Sequence, residues 1–260
     1  MHYRMKQPAS LELRIIPLDQ LAQFDRCVDL QVQVWGYNDG DVVPRRVFLI
    51  AQRIGGQVFG AIDGDTIVGF AMALPGYRNS RPYLHSHMLA VLPDYRNRGL
   101  GCRLKLAQRD DALVRGFDLM EWTFDPLDIK NAYLNLHRLG AIANRYYPDF
   151  YGPSSSPLQG GLPTDRLAAE WWLRSPRVVA MLDGDEETGR KSTSESLAVR
   201  VAVPAAVAEW KQHPAQRILA RELQTRNRVA LQQAIASGLA AVDYECDADG
   251  NGSFLLGPCP

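Results

Sequence analysis

The sequence YLHSHMLAVLPDYRNRGLG, at residues 83–101, contains the features that decide the fold. Residues 83–92 are typical of a buried strand, which Pro93 ends. An arginine- and glycine-rich turn follows, and the pattern from Gly101 to Gly116 predicts an amphipathic helix that buries Leu106, Leu113, Val114 and Phe117. The stretch therefore predicts a strand, a tight turn and a helix N-terminus in direct succession.

This turn has the chemistry of a phosphate-binding loop. Backbone N–H groups in the first turn of a helix lack partners and lie at the positive end of the helix dipole, so they suit a phosphate. Gly99 and Gly101 place no Cβ in the way of a ligand, and Arg96 and Arg98 add positive charge. An ordinary strand-to-helix turn with solvated arginines is the alternative. The loop lacks the lysine of a Walker loop, and the dinucleotide spacing G-x-G-x-x-G fails at Leu104.

The loop resembles the acyl-CoA loop of the GNAT acetyltransferases, whose signature is [Q/R]-x-x-G-x-[G/A] after a strand; Arg96, Gly99 and Gly101 match it. The resemblance extends over about residues 11 to 175 and implies a mixed α/β (α+β) GNAT fold with a central sheet splayed at the acyl-CoA site. It also implies acetyl-CoA as cosubstrate and no metal. The residues that would bind the cofactor are Leu89, Ala90, Val91, Arg96, Asn97, Arg98, Gly99, Leu100, Gly101, Cys102 and Asn131. For Asn131, a helix N-cap is the alternative.

Two histidines on the same strand are the predicted general base. His85 and His87 are two residues apart, so a regular strand projects both side chains from one face. An imidazole titrates near neutral pH and suits proton transfer. The strand is also similar to the H-L-H-A-L-A-V strand of serotonin N-acetyltransferases, in which both histidines act as base through water. A hydrogen-bonded pair of core histidines is the alternative.

The other catalytic candidates are weaker. Glu121, on the next predicted strand, is an alternative base. Many GNAT enzymes carry a tyrosine four residues before the glycine that ends the following helix, but here that position is Leu136. Tyr133, Tyr146 and Tyr147 are the remaining candidates for a general acid, although a packed aromatic residue is the simpler interpretation of each.

The predicted order of elements agrees with the resemblance. Predicted strands occupy residues 11–16, 57–62, 66–74, 83–92, 119–124, 144–151 and 165–173, and predicted helices occupy 21–35, 44–54, 101–116 and 131–139. The polar stretch 183–196 predicts a linker between a GNAT domain at 1–182 and an extension at 197–260. In this extension we expect a strand at 197–203, a helix at 205–237 broken at His213-Pro214, and a hairpin at 239–256.

Composition limits the partners. The 29 basic and 29 acidic residues give a formal net charge of zero, which provides no electrostatic reason to bind nucleic acid or an anionic membrane. The four cysteines form no C-x-x-C pair, and the sequence shows neither a signal peptide nor a membrane helix. A cytoplasmic protein is expected.

The sequence therefore predicts an acetyl-CoA-dependent N-acetyltransferase that acetylates a primary amine of a small molecule by direct attack. A protein lysine or N-terminal acetyltransferase is one alternative, and a catalytically silent acyl-CoA sensor is another. A bacterial subgroup of GNAT acetyltransferases, whose acceptor is unknown, has strings similar to HSHMLAV, WTFDPL and NAYLNLHRLGA. The extension is expected either to cover the site or to form a homodimer.

Overall fold

The computed structural model describes residues 13–38, 40–184 and 197–259. Its strands are β1 (Arg14–Pro17), β2 (Gln57–Asp63), β3 (Thr66–Arg78), β4 (Arg81–Val91), β5 (Leu119–Phe124), β6 (Ile142–Tyr147), β7 (Arg166–Trp172), β8 (Val199–Val203), β9 (Leu239–Cys246) and β10 (Gly252–Pro258). The helices are α1 (Leu21–Trp35), α2 (Arg45–Arg53), α3 (Leu100–Val114), α4 (Ile129–Ala132), α5 (Pro176–Leu182), α6 (Val207–Gln212) and α7 (Arg217–Ala236). A π-helical turn, Tyr133–Arg138, continues α4. None of the helices in these described ranges is long and apolar enough to cross a membrane.

The strands form one mixed sheet in the order β1-β2-β3-β4-β5-β7-β6-β9-β10-β8. Strand pairs are antiparallel except β4 with β5, which run parallel and pair only at Leu84 with Met120 and at His85 with Glu121. Because β4 continues to Val91, its residues 86–91 have no strand partner on the β5 side within the described chain. The sheet is thus mixed and opens between these two strands, as predicted.

A β-bulge changes the geometry of β4 at the start of this opening. Met72 of β3 pairs with Met88 and the next residue, Ala73, pairs with Ser86, so His87 has no residue opposite it. A bulge bends its strand and redirects a side chain. The regular alternation expected for His85 and His87 therefore does not hold at His87.

Helices cover both faces of the sheet. On one face, α1 and α2 pack Phe24 and Phe48 against Phe70, Met72 and Met88. On the other face, α3 packs onto β2, β3 and β4, and the π-helical turn packs onto β9 and β6. Leu136, Trp122 and Trp171 lie in one core. Beyond the bulge the side chains of β4 alternate again, with Met88 and Ala90 on the α1 side and Leu89 and Val91 on the α3 side, so the opening beside β4 is reached from both faces.

The extension shares the sheet and the core of the body. β9 pairs with β6 at Ala241 and Ala143, and Val203, Tyr244 and Phe254 lie in the same core as Trp171. The division into two domains stays a prediction. Most of the predicted linker, residues 185–196, lies outside the described residues.

Two details differ from the sequence prediction. Val114, expected in the core, is 88% exposed, because the buried stripe of α3 runs through Leu100, Leu104, Lys105, Gln108 and Ala112 instead. The short helix α5 was not predicted. It begins at Ser175, whose side chain accepts a hydrogen bond from Val178 N, and Pro176 occupies its first turn.

Candidate functional site

The opening between β4 and β5 contains a cavity of about 470 Å³ that reaches both faces of the sheet. It is lined by aromatic, polar and charged side chains, among them Trp35, Tyr37, Asp41, His87, Leu89, Lys105, Trp122, Asn131, Asn135, Tyr151, Arg166 and Lys211. We refer to this cavity as the cleft.

The predicted phosphate loop has unsatisfied donors. A short 3₁₀ turn, Pro93–Tyr95, follows β4, and α3 begins at Leu100 after Gly99, which has a positive φ of 74°. Within the described chain, the backbone N–H groups of residues 97–102 donate to no protein acceptor. Six consecutive free donors at a helix N-terminus form a concave surface that suits a phosphate or pyrophosphate.

The glycines leave space for a ligand at this loop. A Cβ on Gly99 would meet nothing within 4 Å, and one on Gly101 would have Leu89 and Leu134 at 3.7 Å. Arg96 and Arg98 are exposed; Arg96 Nε donates to Val91 O at 3.2 Å, and Arg98 lies over the Tyr95 ring.

Asn131 faces the same cleft from α4, but it is not the N-cap. Asp128 holds that position: its carboxylate accepts from Asn131 N at 3.0 Å and from Asn131 Nδ2 at 2.8 Å. The Asn131 oxygen and the second N–H of its amide stay available to a ligand in the cleft.

The two predicted histidines lie together, with ring centroids 6.0 Å apart. His87 lines the cleft, whereas His85 lies behind it, opposite Glu121. Burial lowers the pKa of His85 to about 4, with further contributions from His87 and Lys105. Burial also lowers the pKa of His87. Both imidazoles are therefore neutral at neutral pH, which is the state that accepts a proton.

Glu121 lies outside the cleft lining. It is 5% exposed, and its carboxylate binds the guanidinium groups of Arg78 and Arg145. Glu170, directly opposite on β7, binds the same two arginines. The Glu121 carboxylate is paired within this cluster of four charged residues, so the geometry favours a structural role for Glu121.

The tyrosine candidates also lie away from the cleft lining. Tyr133 stacks on His137 with ring centroids 4.4 Å apart. The Tyr146 hydroxyl donates to the Asp165 carboxylate, which together with burial raises the pKa of this tyrosine. Leu136 is fully buried, and the π-helical turn places Asn135 in the cleft lining instead. Within the described chain, Asn135 Nδ2 has no hydrogen-bond partner.

Lys105 is a cleft residue that sequence reasoning missed. Its side chain is almost completely buried, Nζ lies 3.5 Å from the Trp122 ring centroid, and it donates to Ser86 Oγ at 2.8 Å. Burial lowers the pKa of this lysine well below its ordinary value. The sequence could have indicated this burial, because Lys105 lies next to Leu104 on the face of α3 that is buried from Leu100 onward.

Arg166 and Lys211 were also missed, and both reach the cleft from distant parts of the chain. Arg166 begins β7, and Lys211 comes from α6 of the extension, where its Nζ binds Asp125 at 2.6 Å. No local pattern places these residues near residue 87, because only the long-range pairing of β5, β7, β6 and β9 brings them there.

No group of three or more metal-ligating side chains occurs in the part of the chain that the structure describes. The polar atoms of the cleft include hydroxyl, amide, imidazole, cationic and carboxylate groups, so the lining offers both donors and acceptors to an organic ligand.

Comparison with known proteins identifies the family of this region. Residues 24–141 match the model of the acetyltransferase (GNAT) family. YncA from Salmonella typhimurium, solved with its cofactor acetyl-CoA, is 18% identical, and the match covers 63% of this chain and 95% of YncA with a TM-score of 0.51. A GNAT-family protein from Desulfovibrio desulfuricans is 12% identical, with 62% and 99% covered and a TM-score of 0.50. These two structures show the same fold. None of the curated proteins matches the chain significantly.

Proposed function

Since the chain contains an acetyltransferase domain of the GNAT family, we propose that it transfers the acetyl group of acetyl-CoA to a primary amine of a small molecule, with His87 as the general base. One observation carries the proposal: the open edge of β4 and a neutral imidazole line one cleft, and the loop with its free N–H groups adjoins that cleft at Gly101, which lies beside the lining residues Leu89 and Leu134.

The cleft and the adjoining loop offer groups that match those of acetyl-CoA. The free N–H groups of residues 97–102 would bind the pyrophosphate, and Arg96 and Arg98 would add charge. The open edge of β4 at Leu89, Ala90 and Val91 would pair with the amides of the pantetheine arm, and Asn131 would contact the same arm from α4. When bound, acetyl-CoA supplies an activated thioester.

His87 would take the proton of the acceptor ammonium. Its neutral ring lines the cleft, so it would bind the amine directly or through one water. The pKa of His85 is lowered to about 4 and its ring centroid lies 6.0 Å from that of His87, so His85 would assist through a bridging water and would not hold the proton itself. The N–H of Leu89 would donate to the acetyl carbonyl oxygen as negative charge develops there.

A small acceptor is favoured because the cleft is walled on three sides. The end of α1 and the loop after it contribute Trp35 and Tyr37, the segment after β6 contributes Tyr151, and the extension contributes Lys211. A folded protein surface would have to enter between these walls. The silent sensor is the competing function, and turnover separates it from the enzyme.

The test is release of CoA thiol from acetyl-CoA with a panel of primary amines. We expect turnover by the native chain and, for His87→Gln, a kcat lower by about 100-fold or more with unchanged acetyl-CoA affinity. His213→Gln, at an exposed histidine of the extension, is the matched control and should behave as the native chain. Full kcat in His87→Gln would place the base elsewhere, and tight acetyl-CoA binding without turnover would favour the sensor.

A further inference from the structure

Arg166 lies on the face of the cleft opposite the phosphate loop. Leu167, Ala169 and Trp171 of β7 belong to the core beneath the π-helical turn, so the alternation of the strand sends Arg166 to the other face. Arg166, Tyr37 and Asp41 all line the cleft, and Tyr37 and Asp41 come from the segment that follows α1. The loop at residues 96–101, in contrast, leads into α3 on the opposite face.

This guanidinium is held in place but has no anionic partner among the described residues. One Nη donates to Asp165 O at 2.8 Å, the other contacts Gln159 Oε1 at 3.4 Å, and the guanidinium carbon lies 5.3 Å from the Tyr151 ring centroid. Asp41 is engaged elsewhere, since its carboxylate accepts from Ser155 N at 2.7 Å. The remaining N–H groups of Arg166 are therefore oriented and free.

Three other cationic groups at or near the cleft have carboxylate partners, whereas Lys105 and Arg109 donate to the neutral acceptors Ser86 Oγ and Leu173 O. Arg228 binds Asp165 at 2.7 Å, Lys211 binds Asp125 at 2.6 Å, and Arg145 binds Glu121 and Glu170 at 3.0 Å. A half-buried guanidinium has lost part of its hydration, and an anion in the cleft would restore that interaction.

We infer that the amine acceptor carries a carboxylate and that Arg166 binds it on the α1 side of the cleft. A planar guanidinium matches a carboxylate with two parallel hydrogen bonds. Tyr37, Trp35 and Tyr151 provide an apolar wall for the body of such an acceptor. The inference rests on the proposed function and defines its acceptor as an amino acid or another compound that carries both a primary amine and a carboxylate.

The test compares amino acids with their C-terminal amides, over aliphatic, aromatic and charged side chains, in the thiol-release assay. For the best acceptor we expect kcat/KM to favour the carboxylate over its amide by about 10- to 100-fold. In Arg166→Gln the ratio of kcat/KM for the carboxylate to kcat/KM for the amide should fall to near one, while acetyl-CoA affinity stays unchanged. Arg53→Gln, at an exposed arginine that ends α2, is the matched control.

A second readout does not depend on turnover. Trp35 and Trp122 line the cleft, so their fluorescence should report binding of an N-acetylamino acid and of its amide to the CoA-loaded protein. Tighter binding of the acid, lost in Arg166→Gln, supports the inference. Turnover with equal rates for acid and amide overturns it but leaves the acetyltransferase intact. Preference for 2-aminoethylphosphonate over β-alanine overturns the carboxylate inference, because the site would then select a phosphonate. Absence of turnover with every amine contradicts the proposed function instead.

Discussion

At the scale of single residues, Lys105 is in a position where the charged form of its side chain is energetically unfavourable. Its amine is buried beside Trp122 with Ser86 as its hydrogen-bond partner, and no described carboxylate pairs with it. Burying a charge without a counter-ion is unfavourable, so the folded chain favours the neutral amine. In the unfolded chain the same amine titrates at about 10.4 and is charged at neutral pH.

Lys105→Met should therefore stabilise the protein at pH 7. In the wild-type chain, Lys105 binds a proton more readily when the protein is unfolded than when it is folded. At pH values below the pKa of the unfolded state, Lys105 therefore lowers the free energy of unfolding. This penalty disappears as the pH rises toward 10. Urea unfolding at pH 7 and pH 9.5 should show the stability difference between Lys105→Met and the native chain shrinking at the higher pH. Lys130→Met, at an exposed lysine, is the control. A pH-independent loss of stability in Lys105→Met would contradict the assignment.

At the scale of elements, the closed end of the β4–β5 pair is held by charge. Glu121 and Glu170 lie directly opposite each other on β5 and β7, and Arg78 and Arg145 separate the two carboxylates. The strands pair only at this end, so the cluster fixes where the sheet begins to open. We regard it as the structural anchor of the cleft.

Arg145→Met should leave two buried carboxylates facing each other with one arginine between them. We expect a loss of about 3 kcal/mol or more in the free energy of unfolding, measured by urea denaturation at pH 7. Arg174→Met removes an exposed pair with Asp118 and should cost less than about 1 kcal/mol. Equal effects of the two substitutions would show that the cluster is not an anchor.

The sequence predicted the elements better than their irregularities. Residues 83–101 were recognisable because a strand, two glycines and an amphipathic helix follow one another locally. The bulge at His87 and the π-helical turn at residues 133–138 depend on how β4 meets β3 and how the turn packs on β9. Arg166 and Lys211 could not be placed in the cleft, because their proximity to His87 depends on strand pairing across the whole sheet.

At the scale of the molecule, the extension completes both the sheet and the site. β9 continues the sheet beyond β6, and Val203, Tyr244 and Phe254 share the core with Trp171. Through α6, the extension also places Lys211 against Asp125 in the cleft. The lining of the cleft therefore comes from α1 and its following loop as well as from the extension.

The central claim is that acetyl-CoA binds at the open edge of β4 and at the loop before α3. Hydrogen exchange measured by mass spectrometry with and without saturating acetyl-CoA tests it most directly, because free N–H groups exchange rapidly until a ligand engages them. We predict slower exchange on binding in peptides that cover residues 86–101, and unchanged exchange in β8, β9 and β10. Binding of acetyl-CoA that leaves exchange in residues 86–101 unchanged would contradict the account.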